Sequence, residues 1–237
     1  MPIPTRGAFC DLSPATMARA AYLASFVGYN TDELWRTRSI RLSKKDLPAV
    51  MNMPKPTSDR FWRDVKDKYF YRGDNGFLHT IGQSFVKGKL DAPFAAEYQK
   101  LYTASLRELY RKIPITQHNR LGYALKMLPH INFEYNILCY TPTEKLYDEI
   151  VPMTVSEFCE IVGHSKARTA DLVRDYGRLT FTVHNREEVF CKFVSNGSDM
   201  TNAHIYINPR LIYKGSDFHK VEGIGISFAA DYKPYKQ

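Results

Sequence analysis

The stretch MTVSEFCEIVGHSKARTADLVRDYG, Met153 to Gly177, decides how this chain is read. Thr154 followed by Glu157 marks a helix start. The Thr hydroxyl accepts from an orphan amide, and the Glu carboxylate reaches back to close a capping box. Phe158, Ile161 and Val162 then share one face of a short helix, and Gly163 ends it. A second helix begins near Ser165, with Leu172 and Val173 inward and Lys166, Arg168 and Arg174 outward. Two short helices across a tight Gly-containing turn, the second one basic, form a helix-turn-helix pattern. A basic helix after a turn is also found as an ordinary solvated face. The apolar phasing on both sides of this turn favours a unit that reads DNA.

Towards the N-terminus, Pro2 to Leu12 reads as a loose arm, and Ser13-Pro14 as the N-cap and first position of an Ala-rich helix running to about Val27. Leu34 to Leu42 mixes Arg36, Arg38 and Arg41 with Trp35 and Ile40. Ser43 caps a short helix through Val50, and Pro54 and Pro56 make a turn. Thr57 then starts a helix with Phe61, Trp62 and Val65 inward. Tyr69–Tyr71 and Phe77–Ile81 are strands around Gly73-Asp74-Asn75-Gly76. Three helices and then a β-hairpin is the order of a winged helix.

The second half repeats this order. When FWRDV (Phe61 to Val65) is set over LVRDY (Leu172 to Tyr176), the same offset carries Leu42 onto Met153, Ser43 onto Thr154, Asp46 onto Glu157, Leu47 onto Phe158, Val50 onto Ile161 and Lys55 onto Lys166 without a gap. Further on, FVKG (Phe85 to Gly88) matches LIYKG (Leu211 to Gly215), and LASFVGYN (Leu23 to Asn30) resembles LKMLPHIN (Leu125 to Asn132). Agreement in order across caps, core and closing Gly indicates two copies of one unit. The second hairpin, about Leu179 to Ile207, is longer, with its turn near Ser195-Asn196-Gly197-Ser198. Between the halves, Phe94, Tyr98, Leu101, Tyr102, Leu106, Leu109 and Ile113 recur at helical spacing, as in a helix packed on one domain or a dimer seam.

The expected fold is therefore mainly α with small β-hairpins (α+β), as two tandem winged helix-turn-helix domains joined by a helix. The boundaries are 1–92 for the first domain, 93–114 for the connecting helix, 115–222 for the second domain and 223–237 for an irregular tail.

Composition agrees with this. The chain has 237 residues, is 44% hydrophobic and carries a net charge of +8, enough for a real core and suited to a polyanionic partner. Apolar runs are too short and too often charged to span a bilayer, and there is no signal-peptide core. Cys10, Cys139, Cys159 and Cys191 lie far apart and read as core hydrophobes of a cytoplasmic protein.

Catalytic patterns are lacking. There is no phosphate-binding G-x-x-x-x-G-K-[ST] and no H-x-H, and seven scattered histidines give no metal-ligand spacing. Cys191 near His184 and the Glu187-Glu188 pair lack partners for nucleophilic or two-metal chemistry. No enzyme, cofactor or metal is expected.

In a winged helix, residues near the N-terminus of the second helix of the pair reach base edges, and the wings reach backbone or minor groove. The candidate DNA-binding residues in the first unit are Lys55, Thr57, Ser58, Arg60 and Arg63, with Arg72 and Asn75 on its wing. In the second they are His164, Ser165, Lys166, Arg168, Thr169 and Arg174, with Arg186, Lys192 and Asn196 on its wing. Arg and Lys suit guanine edges and phosphates, and Ser and Thr suit either. Tandem units predict a bipartite duplex site with halves about a helical turn apart, bound by a monomer or homodimer.

LPHIN (Leu128 to Asn132), the helix-turn-helix, the wing and the strand-plus-turn YINPRLIYKG (Tyr206 to Gly215) resemble the RepL-like winged-helix replication proteins of Gram-positive plasmids and phages. The resemblance covers roughly Thr116 to Gly215. The first half lacks the Asn-Pro, having Gly82-Gln83 there. The pairing of units is also similar to tandem winged-helix initiators of theta-replicating plasmids. The resemblance implies binding to origin or operator DNA without intrinsic catalysis, as an initiator or transcription regulator working with host replication or transcription proteins. The alternative is a winged-helix module docking on a polymerase or other host protein. Replacing Lys166 and Arg168 together with Ala should lower specific DNA affinity, each base-reading pair accounting for about 1–3 kcal/mol. Intact binding by that double variant would show that the reading helix lies elsewhere.

Overall fold

The computed structural model describes residues 2–4, 11–82, 85–88, 98–165, 169–195, 197, 199–215, 217, 219–223 and 227–230. Among them the chain is mixed α and β, with eight α-helices and four two-stranded antiparallel sheets. It divides into two units, Met1–Leu125 and Lys126–Gln237. No helix among the described residues is long and apolar enough to cross a membrane.

The first unit contains β1 (Pro2–Pro4), α1 (Pro14–Ala24), α2 (Leu47–Val50), α3 (Lys55–Val65), β2 (Phe70–Arg72), β3 (Leu78–Thr80), β4 (Tyr98–Lys100), α4 (Thr103–Lys112) and α5 (His118–Leu125). As the sequence predicts, Ser13 caps α1, its hydroxyl accepting from the Thr16 amide at 3.2 Å. Three leucines are tied to one another through their backbones. Leu34 N–H donates to the Leu78 carbonyl (3.0 Å), Leu42 to that of Leu34 (2.8 Å) and Leu78 to that of Leu42 (2.8 Å). All three side chains are fully buried. Ser43 follows directly, its amide 2.8 Å and its hydroxyl 2.5 Å from the Asp46 carboxylate. This capping box starts the short helical stretch that turns into α3. Phe61, Trp62 and Val65 anchor α3 in the core, each worth about 1.5–3 kcal/mol of apolar burial.

The second unit contains α6 (Val155–Ile161), α7 (Thr169–Gly177), β5 (Thr180–Val183), β6 (Arg186–Val189), β7 (Cys191–Val194), β8 (His204–Ile207) and α8 (His219–Gly223). Two of the three leucine hydrogen bonds have counterparts here. Leu138 N–H donates to the Ile205 carbonyl and Met153 N–H to that of Leu138, both at 2.9 Å, and Leu138, Met153 and Ile205 are fully buried. Thr154 and Glu157 reproduce the capping box, with the Thr154 amide 2.7 Å and hydroxyl 2.8 Å from Glu157 Oε2. The closing Lys-Gly also recurs. The Asn30 amide donates to Lys87 at 2.7 Å beside Gly88, whose φ of +138° suits only glycine. In the second unit Lys214 Nζ lies 3.6 Å from the centre of the Phe133 ring, next to Gly215.

Several expectations are corrected. The arm is not wholly loose, because Pro2–Pro4 pairs with Tyr98–Lys100. Tyr98 is therefore in a strand, and the connecting helix starts only at Thr103. Residues 93–97 lie outside the described part. That helix, α4, lies in the first of the two units together with α5. Tyr110 stacks on Tyr22 at 3.8 Å. Arg107 donates from Nε to the Ser25 hydroxyl (2.8 Å) and from Nη2 to the Ser25 carbonyl (2.5 Å), placing a cation at the C-terminal end of α1. His118 is buried and accepts from Arg19 Nε at 3.3 Å; burial and that guanidinium push its pKa down to about 4, so it is neutral.

The single long hairpin of the second unit is two hairpins. β5 and β6 turn at His184-Asn185, both at positive φ, and β7 pairs with β8. Part of the tail is ordered against the sheet. The Val189 amide donates to Phe228 (2.8 Å) and Ala230 to Glu187 (2.9 Å), and Phe228 joins Ile137, Cys139, Ile150, Val189 and Tyr206 in the core.

In the first unit α5 crosses α1 so closely that a Cβ added at Gly122 would sit 1.7 Å from the Pro14 carbonyl oxygen. Backbone must move to admit it. Gly122→Ala should cost on the order of 1–3 kcal/mol as overpacking, read as a lower denaturation midpoint. An unchanged or higher midpoint would mean that the helices do not cross there.

Candidate nucleic-acid interface

The capping box, the first turn of α3 and the β2–β3 turn face one another across a cleft of about 840 Å³ in the first unit. Its walls carry Arg41, Lys44, Lys45, Lys55 and Arg72 against two carboxylates, Asp46 and Asp59, with Asn75 and Phe77 at the turn. The fold explains each position. Leu42 is buried between two bridging residues, Arg41 and Ser43, which border the cleft. Lys44 and Lys45 occupy the first turn after the cap, where side chains are exposed. Arg72 ends β2, and the turn is drawn tight by Gly76 N–H to the Gly73 carbonyl (2.9 Å) and Phe77 N–H to Asn75 Oδ1 (3.0 Å).

Electrostatics leave the cleft cationic. Asp46 is committed to the cap. Lys44 Nζ is 3.4 Å from Asp59, and Arg41 Nε is 3.3 Å from Glu33. The Arg41 guanidinium also lies over the rings of Trp35 (4.9 Å) and Phe77 (5.4 Å), which holds it in place. Lys45, Lys55 and Arg72 have no carboxylate within ion-pair distance among the described residues. This is an arrangement for gripping phosphates.

Of the first-unit residues expected to bind, Lys55, Arg72 and Asn75 come together here. Thr57 is half-buried, and Arg60 and Arg63 are exposed on α3 but do not line the cleft. Ser58 is a correction. It is 3% exposed, because it sits three, four and seven residues before Phe61, Trp62 and Val65 and so shares their inward face. Thr169 holds the same place in the second unit and needs the same correction. It is 2% exposed, and its hydroxyl points at Cys159 Sγ (3.7 Å). Arg41, Lys44 and Lys45 are not among the residues expected from the sequence. Their signal is the pair of lysines inside the SKKD capping box, since residues between a cap and its acidic partner project outward.

The second unit does not assemble an equivalent cleft among its described residues. Lys166, Arg168 and Asn196 lie outside those residues. The repeat puts Pro152, Val155 and Ser156 where the first unit has Arg41, Lys44 and Lys45, and Asp171 where it has Arg60. Arg174 is exposed but bound to Asp171 at 2.6 Å, with Asp175 at 4.0 Å. His164 is half-buried at the end of the α6 turn, and Ser165 is exposed. The expected wing residues are divided. Arg186 is exposed on the β5–β6 hairpin, whereas Lys192 is half-buried on β7, where burial lowers its pKa.

Burial pushes the thiol pKa of Cys139 up to about 11 and raises those of Cys159 and Cys191 as well, so these cysteines stay protonated. Asn208 of the Asn-Pro motif is fully buried and donates to Glu188 Oε2 (2.9 Å) and the Val189 carbonyl (3.0 Å), a structural tie. Compared with protein-family models, curated proteins and solved structures, the chain finds no match in any of the three.

Asp59→Asn removes the carboxylate that competes for Lys44. The variant should bind a polyanion about two- to fivefold more tightly, as a surface pair of up to 1 kcal/mol allows, and elute from heparin at higher salt. Earlier elution would mean that Asp59 shapes the cleft instead of neutralising it.

Proposed function

We propose that this chain is a sequence-specific double-stranded DNA-binding protein built from two winged-helix units. It acts as an origin-binding replication initiator or transcription regulator of a phage or plasmid and has no catalytic activity of its own. The observation that carries this reading is the cationic cleft between the first turn of α3 and the β2–β3 turn. A winged helix brings its reading helix and its wing to the same stretch of duplex, and the cleft lies between those two parts. The order of helix, paired helices and hairpin in the first unit, and a similar junction and capping box in the second, support the tandem assignment.

The units contribute unequally in this reading. The first grips phosphates through Lys45, Lys55 and Arg72. The second, with neutral residues in place of Lys44 and Lys45, supplies discrimination or spacing more than charge. A docking role for the second unit has its own support. Tyr140, Leu146, Tyr147 and Val151 are each exposed by 44% or more, beside Glu144, Asp148 and Glu149. Such an acidic, aromatic face suits a host replication or transcription protein and repels a phosphate backbone.

Selection from a random duplex pool at near-physiological salt should return one bipartite motif. On that duplex the logarithm of affinity should fall steeply with the logarithm of salt concentration. Replacing Lys45, Lys55 and Arg72 with Ala should flatten the slope by about 3, one for each phosphate that is no longer neutralised. A wild-type protein that recovers no motif and binds with little salt dependence would move the assignment to protein docking.

A further inference from the structure

A small loop beside the cleft carries charge that neither the fold nor the cleft uses. Trp35 pairs with Arg41 in an isolated antiparallel bridge, and between them Arg36, Thr37, Arg38, Ser39 and Ile40 are all exposed, Ile40 by 53%. The loop is built rather than slack. Arg36 N–H donates to the Ile40 carbonyl at 2.8 Å, and the Ser39 amide to the Thr37 hydroxyl at 3.4 Å. It contains no acidic residue. Arg36 and Arg38 have no carboxylate partner among the described residues, and the nearby Glu33 is taken by Arg41. Arg41 belongs to both features, forming the base of the loop and lining the cleft.

One exposed isoleucine needs no explanation by itself. The internal repeat supplies the comparison that gives it meaning. In the second unit the corresponding bridge is Cys139 with Pro152, and the intervening residues include Glu144, Asp148 and Glu149 with a single Lys145. Both loops close the same kind of junction, so the sheet itself demands neither arginines nor their absence. The charge of the first-unit loop answers to something outside the fold.

We infer that the Arg36–Ile40 loop is a second duplex contact, a minor-groove probe in which Arg36 and Arg38 meet the groove and its flanking phosphates while Ile40 wedges against a base step. The inference rests on the DNA-binding reading of the neighbouring cleft. A tight five-residue loop fits a groove about 6 Å wide that would exclude a helix. The groove's negative potential attracts arginine. An apolar tip beside those arginines has the composition of the wedges that unstack and kink a duplex. The cleft holds backbone through Lys45, Lys55 and Arg72, and the loop extends the footprint from the same edge.

The test uses the full chain on a duplex labelled at both ends for energy transfer, drawn from the selected motif or, failing one, of random sequence. Binding is titrated over a range of salt. The Arg36→Ala/Arg38→Ala variant should flatten the salt slope by about 2. Ile40→Ser should leave the slope unchanged and abolish the shortening of end-to-end distance that the wild type induces. Lys145→Ala, in the loop of the second unit, should change neither. If the wild type binds with a steep slope and the loop variants match it in slope and bend, the inference fails while the cleft reading stands. If the arginine variant alone departs from the wild type, the wedge is refuted. If the wild type does not bind duplex at all, the cleft reading fails and the loop assignment goes with it.

Discussion

Three backbone hydrogen bonds among Leu34, Leu42 and Leu78 set everything else in the first unit. Their side chains are fully buried, so water cannot satisfy the amides and carbonyls between them. Each bond contributes only about 1 kcal/mol net, but an orphaned group there would cost about 1–3 kcal/mol. The closed ring is therefore the arrangement available to this strand crossing. It holds Leu42 in place, and Ser43 starts its capping box at the next residue. The direction of α3 follows from that cap, and the β2–β3 turn follows from Leu78. A cleft with Lys55 on one wall and Arg72 on the other results from joining two elements that share a leucine ring.

The second unit keeps this framework and changes what it displays. Leu138, Met153 and Ile205 occupy the junction, and Thr154 with Glu157 the cap. The residues that vary between copies are those the junction leaves outside. Lys44 and Lys45 stand against Val155 and Ser156, Arg60 against Asp171, and a basic five-residue loop against a longer acidic and aromatic one. Core positions are constrained by volume and by backbone pairing, whereas exposed positions are constrained only by what they meet. The two units thus share a junction and differ in the charge they expose around it.

Local features are legible in the sequence, whereas those that depend on distant pairing are hidden. Capping boxes, the inward phase of Phe61, Trp62 and Val65 and the Gly-containing turn of the first hairpin are all written within a few residues. Ser58 and Thr169 mislead because small hydroxylated residues at a helix start suggest contact with DNA, although their spacing to the core residues places them inside. The second hairpin misleads because Gly197 marks the connection between β7 and β8 and draws attention from an earlier turn. The first turn of that region is made by His184 and Asn185, which adopt positive φ without glycine. The strand-like residues after the last helix, Ser227 to Ala230, have no alternation to betray them. They are ordered by pairing with β6 and by Phe228 entering the core.

Net charge by itself does not say which cations a fold leaves unpaired. The chain's excess of +8 lies in the first unit, with 20 Lys and Arg against 11 Asp and Glu in residues 1–125 and 13 against 14 in residues 126–237, and many of its cations are paired or serve packing. Arg107 is spent on the end of α1, Arg174 on Asp171 and Arg41 partly on Glu33. What distinguishes the cleft is the fate of its acids. Asp46 is held by the amide and hydroxyl of Ser43, so folding itself engages one of the two carboxylates. Asp59 is left to balance Lys44, and Lys45, Lys55 and Arg72 face the opening without a carboxylate of their own among the described residues. A cap needed to start a helix thereby also keeps the cleft positive.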